Sequence, residues 1–309
     1  MRGGKLEAAN ALAKQIQKQI AKSSTSTFAN PIRNARDLWD RVRNVTGKGK
    51  KGLASDSDFN ADQLNKHYSQ ISTDANYAVL APKITAHKDK LYISEEEVFK
   101  LLDGLKPTSP GLDNIPSWFL RISAPYLSRH LARLYNISLN RSEVPKQWKA
   151  SIITPVAKCA KPTSCCEYRP ISITPIVSRV LEKIIVRKFL YPVLTNPEHS
   201  LLFKDQFAFR PTGSTTAALI YLTHILAEML EIYPFVHLIS LDFSRAFDTV
   251  RHSTLLQKTA NLPIQDEVYN WFIDYFDGRK HSTKFNGETS TFCSINCSIV
   301  QGSGKDPVK

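Results

Sequence analysis

Apolar side chains recur every three to four positions over residues 5–22, where Leu6, Ala9, Leu12, Ala13, Ile16 and Ile20 alternate with Lys and Gln. That spacing predicts an amphipathic helix. A second follows Pro31 through Ala35, Leu38, Trp39 and Val42 and stops at a basic, glycine-rich hinge over 46–52. The hinge mimics a phosphate loop, but Leu53-Ala54 stands where Lys-Ser/Thr would be required. Helical spacing returns near 58–72, after Ser94 with Glu97 as its capping-box partner, and over 124–140, 176–190, 214–231 and 265–276. Two runs, 152–156 and 168–173, read as strands, and Pro155 and Pro170 predict an edge hairpin. Residues 235–242 read as a buried strand ending in Asp242, and 281–286 and 291–299 as antiparallel strands. Helices, a hairpin and then a sheet with helices indicate α+β architecture.

Composition adds bounds. With 309 residues and 42% apolar side chains the chain can bury one large core or two medium ones. The first residues lack the apolar stretch of a secretory signal, and no run reaches the roughly 20 apolar residues of a membrane span. The expectation is therefore an intracellular chain, nuclear or cytoplasmic, with no membrane partner. Cys159, Cys165 and Cys166 share one loop and no pair has C-x-x-C spacing, which favours reduced thiols over a zinc site.

Charge is unevenly distributed. The net +13 is concentrated in residues 1–51, with 12 Lys/Arg against 3 Asp/Glu, and in 121–190, with 13 against 3. Two basic blocks suit a polyanion such as nucleic acid, or serve as solvated, solubilising surface.

Among candidate chemical groups Asp242 is the most informative. A carboxylate closing an apolar strand is costly to bury alone, so it binds a cation, caps a helix or sits at an exposed edge. Asp248 follows six positions later and fits a cap for the next helix.

The string Asp242-Phe-Ser-Arg-Ala-Phe-Asp248 resembles the first-aspartate motif of LINE-type (non-LTR) retrotransposon reverse transcriptases. Other blocks agree in order: Ser109-Pro-Gly-Leu-Asp-Asn-Ile-Pro116, Glu143-Val-Pro-Lys-Gln-Trp-Lys149, Ile153-Thr-Pro-Val-Ala-Lys158, Tyr168-Arg-Pro-Ile-Ser172, Gln206-Phe-Ala-Phe-Arg-Pro-Thr-Gly-Ser-Thr-Thr216 and Gln301-Gly-Ser303. A group II intron maturase shares the same palm logic, but the wording of the Asp242 block favours the LINE lineage.

The resemblance implies a right-hand polymerase: a basic helical linker over 1–55, a helical extension over 56–105, fingers over 106–200 and part of an antiparallel palm over 201–309. It implies RNA-directed DNA synthesis on an RNA template and DNA primer, with deoxynucleoside triphosphates and Mg²⁺. Asp242 would be the catalytic carboxylate and, with the backbone carbonyl of Phe243, a metal ligand. Lys158 and Arg169 would clamp the triphosphate; they stand eleven residues apart, room for a hairpin that brings both to one face. Phe247 would lie under the incoming sugar, Gln301 at the nascent base pair and Arg210 near the nucleotide. After Ser303 the agreement stops, and no Asp-Asp pair occurs in the sequence. The resemblance therefore implies a truncated, inactive domain, or an RNA-binding ribonucleoprotein module from a decayed or domesticated element. Asp266, Glu267, Asp274 and Asp277 read as the solvated face of a helix, not as substitute ligands.

Overall fold

A computed structural model describes residues 59–84, 91–196, 206–209 and 213–299. The two helices expected over 5–22 and 31–42, together with Arg210 and Gln301, lie outside the described residues. Contacts divide the chain into two units, Met1–Ser55 with Cys159–Lys161, and Asp56–Lys158 with Pro162–Lys309. All that follows concerns the second.

Its helices start where the local chemistry allows. Helix α1 (Ala61–Ile71) opens on a capping box in which the Asn60 side chain accepts from the Gln63 amide and the Gln63 side chain from that of Asn60. Helix α2 (Glu95–Asp103) does the same with Ser94 and Glu97, and Lys188 holds Glu97 at 2.9 Å. A short helix α3 (Ser117–Ile122) runs into α4 (Ala124–Arg141), which ends on Ser142 in left-handed backbone at φ 53°. Helix α4 buries Ala124, Ser128, Ala132, Tyr135 and Leu139, one face at helical spacing, and packs on α2. After the hairpin β1 (Ala150–Ala157) and β2 (Tyr168–Ile173) come α5 (Ile176–Ile185), a π turn (Val186–Leu190) and α6 (Tyr191–Thr195). The second half holds α7 (Thr215–Ile232), α8 (His252–Ala260), α9 (Asp266–Phe276), β3 (Lys280–Phe285), β4 (Glu288–Thr289) and β5 (Cys293–Ser294).

The main core joins α2, α4, α5 and α9 through Val98, Leu102, Tyr135, Leu139, Leu181, Ile185 and Trp271. Polar atoms inside it find partners: the Tyr135 hydroxyl donates to the Val177 carbonyl at 2.7 Å, and the Trp271 indole to Ser138 Oγ at 3.0 Å. A smaller cluster of Leu64, Tyr68, Ile153 and Tyr168 fixes α1 to the sheet.

The fold is α+β, with several departures from the sequence reading. Sheet order is β2-β1-β3-β4 with β5 also on β3, and the β1–β3 ladder is parallel, so the sheet is mixed and not wholly antiparallel. A parallel partner needs a long crossover, and more than 100 residues separate β1 from β3. Strand β1 is also internal at Ile152 and Ile153, where β2 and β3 both pair with it; Pro155 lies beyond the β3 ladder, where a missing N–H costs no bond to β3.

Residues 235–242 are irregular and mostly exposed, not a buried strand. A strand apolar on both faces needs partners on both edges, and among the described residues β1 and β3 are already paired with others. Helix α7 beside it buries nothing, and it is the one helix among the described residues long and apolar enough to cross a membrane by length and composition. The expected strand over 291–299 is reduced to β5 and an Arg251–Cys297 bridge.

Of the acids expected on a solvated face of α9, Asp277 at its C-terminal end is exposed, but the other three are not. Glu267 is buried, and Asp274 accepts from the Val144 amide at 2.6 Å and pairs with Lys149 at 2.9 Å, while Asp266 lies 3.7 Å from Lys83. Asp274 ties α9 to the chain around Val144 and Asp266 ties it to Lys83, which a helical wheel cannot foresee.

Candidate nucleotide site

Alternation along the hairpin sorts its side chains between two faces. Ser151 and Ile153 of β1, with Tyr168, Pro170 and Ser172 of β2, line one cavity of about 250 Å³. Arg169, register partner of Val156, belongs to the opposite face and is exposed. The hairpin therefore does not bring Lys158 and Arg169 to one face. Lys158 reaches the cavity because it follows the last β1 residue, where the chain turns. Its amide donates to the Glu167 carbonyl at 2.7 Å and its Nζ to the Cys166 carbonyl at 2.6 Å. Glu167 orders this turn, its carboxylate accepting from the Thr163 amide at 2.6 Å.

The Asp242 block meets the same cavity from the other side. Arg245 adopts φ 55°, and its carbonyl accepts from the Asp248 amide at 2.9 Å, which folds the block into a tight turn. Arg245 and Asp248 both line the cavity, and Arg245 Nη2 donates to Cys166 Sγ at 2.9 Å. Asp248 does not cap the next helix, because α8 begins at His252 with Arg251 as its N-cap residue and no side-chain cap. Asp242 and Phe243 sit on exposed, irregular chain before the turn. Phe247 is half exposed, its ring 5.9 Å from Phe209 edge-on, and its carbonyl accepts from the Ile299 amide at 2.9 Å.

Electrostatics in the cavity favour an anion. Lys158, Arg245 and Arg279 face Glu182 and Asp248, with His67 and His281 beside them. Burial, then the charges of Arg245 and Lys158, push the His67 pKa down. Burial pushes His281 further, to about 4. Arg279 is almost fully buried, donates to the Tyr275 carbonyl at 3.2 Å and lies 4.4 Å over the Tyr275 ring. The sequence did not single out His67, Arg279 and His281; no motif surrounds them, and only the packing of α1, α9 and β3 assembles them.

The Ser109–Pro116 block has a structural basis. A Cβ on Gly111 would lie 2.5 Å from the Pro175 nitrogen, so only glycine lets this loop close on the start of α5. Arg179 completes the closure with bonds to Thr108 Oγ1 at 3.0 Å and the Ser109 carbonyl at 2.9 Å.

The residues do not fit a magnesium pair. Two bridged ions about 4 Å apart need several carboxylates, and among the described residues no three His, Cys, Asp or Glu side chains come together as ligands.

Comparison with known proteins gives a consistent picture. Residues 159–307 match the family described as "Reverse transcriptase (RNA-dependent DNA polymerase)". The chain is 27% identical over 247 residues to a "Probable RNA-directed DNA polymerase from transposon BS" of Drosophila melanogaster, covering 78% of this chain and 27% of that protein. It is 29% identical over 218 residues to the "RNA-directed DNA polymerase from mobile element jockey" of Drosophila funebris, 70% of this chain and 23% of the relative. A polyprotein of the type-1 retrotransposable element R2 from Popillia japonica is 28% identical over 181 residues, 58% and 24% respectively. The chain thus spans about a quarter of the length of the curated relatives it matches. By family match and by relatives alike, the chain is similar to the reverse transcriptases of LINE-type, non-LTR retrotransposons.

Proposed function

We propose that the chain supplies the fingers and part of the palm of an RNA-directed DNA polymerase, working inside the cell on an RNA template and DNA primer. The observation that carries this is the convergence of Lys158, from the hairpin block, with Arg245 and Asp248, from the Asp242 block, on one cationic cavity within a reverse transcriptase family match.

In this reading Lys158 holds the triphosphate as a mobile point charge. Phe247 packs under the incoming sugar, Arg210 lies near the nucleotide and Gln301 meets the nascent base pair. Magnesium would neutralise triphosphate charge when bound. Asp242 and the Phe243 carbonyl are the groups that would hold it, and so few protein oxygens would bind it weakly. The 309-residue chain alone does not polymerise.

The alternative is a ribonucleoprotein module that binds RNA without chemistry, favoured by the exposed, irregular setting of Asp242. Primer extension separates the two. The purified chain gives no product with Mg²⁺ or Mn²⁺; fused to the Asp-Asp-bearing segment of a relative, it extends a primer in an Asp242-dependent way. A fusion that stays inactive although folded favours the binding module. Asp242-dependent extension by the unfused chain overturns the claim of incompetence.

A further inference from the structure

We propose that the exposed face of α3 and α4 is a stacking surface for single-stranded RNA, separate from the cationic cavity. The inference deepens the RNA-partner reading and does not depend on polymerisation.

Three large side chains lead the face at four-residue spacing: Trp118 is 60% exposed, Ile122 68% and Tyr126 81%. Ser123 between the helices keeps right-handed backbone, so the spacing carries across the junction, and the Leu127 amide still donates to the Ser123 carbonyl at 2.9 Å. Along the solvent side of α4 the same series continues as Arg129, Arg133 and Ile137, all exposed. Arg129 and Arg133 stand about 6 Å apart along the axis. Aromatic planes followed by regularly spaced cations are what a single strand needs, bases stacking on the rings and phosphates meeting guanidinium groups.

Charge decides the occupant. Residues 117–141 hold four arginines (Arg121, Arg129, Arg133, Arg141), one histidine and no acid. Among the described residues none of the four arginines forms an ion pair. Glu95 of α2 accepts a hydrogen bond from Ser128 Oγ at 3.4 Å, on the buried side of α4. None of these residues lines the cavity. An aromatic cluster intended for a protein core would rarely be framed by unpaired arginines, and a lipid-facing helix would keep its apolar anchors over the length where Arg129 and Arg133 stand here.

The test uses the full chain and a fluorescent 20-nucleotide oligouridine, read by anisotropy, with an RNA duplex of equal length as comparison. Tryptophan emission gives a second readout, since Trp148 and Trp271 are buried and Trp118 is the exposed indole among the described residues. Expected is about tenfold or greater weakening of oligouridine binding in Trp118→Ala/Tyr126→Ala, with a much smaller effect on duplex. Arg129→Gln/Arg133→Gln lowers both binding and its salt dependence. Oligouridine quenches indole emission in the parent chain and not in Trp118→Phe, while the melting temperatures of all variants stay close to that of the parent. Parent-level binding by both double variants overturns the surface but leaves RNA binding standing; absence of RNA binding by the parent overturns both. Quenching by phosphatidylserine vesicles but not by oligouridine would reassign the face to lipid.

Discussion

Lowering pH should destabilise the fold through His281. The side chain is only 2% exposed on β3, its Nε2 has no hydrogen-bond partner, and burial holds its pKa near 4 against an ordinary 6.5. Above pH 6.5 the ring is neutral in folded and unfolded chains and contributes no pH dependence. Between 6.5 and 4 the unfolded chain takes up a proton that the folded chain refuses, so stability falls as pH falls. A difference of about 2.5 pK units amounts to about 3 kcal/mol by pH 4, with a slope of at most about 1.4 kcal/mol per pH unit. His67 and His252 are shifted down by burial too and add in the same direction. Urea unfolding followed by circular dichroism at pH 7.5, 6.0 and 5.0 should show this loss in the parent. Carboxylates also titrate near the low end, so the decisive quantity is the difference from His281→Leu, which removes the titrating ring whatever its own baseline stability. By pH 5 the variant should have lost about 2 kcal/mol less than the parent, relative to pH 7.5. Equal slopes in the two proteins would refute the argument.

Gly111→Ala should cost about 1–3 kcal/mol in the same unfolding assay, because the added methyl meets the Pro175 backbone and not a side chain that can move. Trp271→Ala should cost about 3–5 kcal/mol, since it removes a buried ring stacked 5.1 Å from Tyr275 and frees Ser138 from its indole donor. RNA binding should be steeply salt-dependent, with a log-log slope near −5 if about six phosphates are engaged. Deleting residues 1–51, which carry 12 of the 41 basic side chains, should flatten that slope while the melting temperature of the remainder holds. A slope near zero in the full chain would reject phosphate contact as the source of affinity.

Elements set by neighbours in sequence were legible from the sequence alone. The Ser94–Glu97 box needs only four residues, and the structure reproduces it; Ile176 to Ile185 carries its buried face in its own spacing, and the β1–β2 hairpin is framed by its turn. Ordered motif blocks likewise carried the resemblance to reverse transcriptases, which the family match and the relatives share, because their spacing is a property of the chain itself. Tertiary structure decided the rest. Residues 235–242 have the composition of a strand, yet a ladder depends on partners far away in sequence, and here both inner strands are taken by others. Asp274 reads as a solvated acid until the Val144 amide and Lys149 are packed beside it. Arg169 and Lys158 read as one clamp until the pleat sends the first to the outer face and the turn sends the second inward. Local hydrogen bonding and periodicity are written residue by residue, whereas side-chain direction and burial are settled only when segments a hundred or more residues apart compete for the same neighbours.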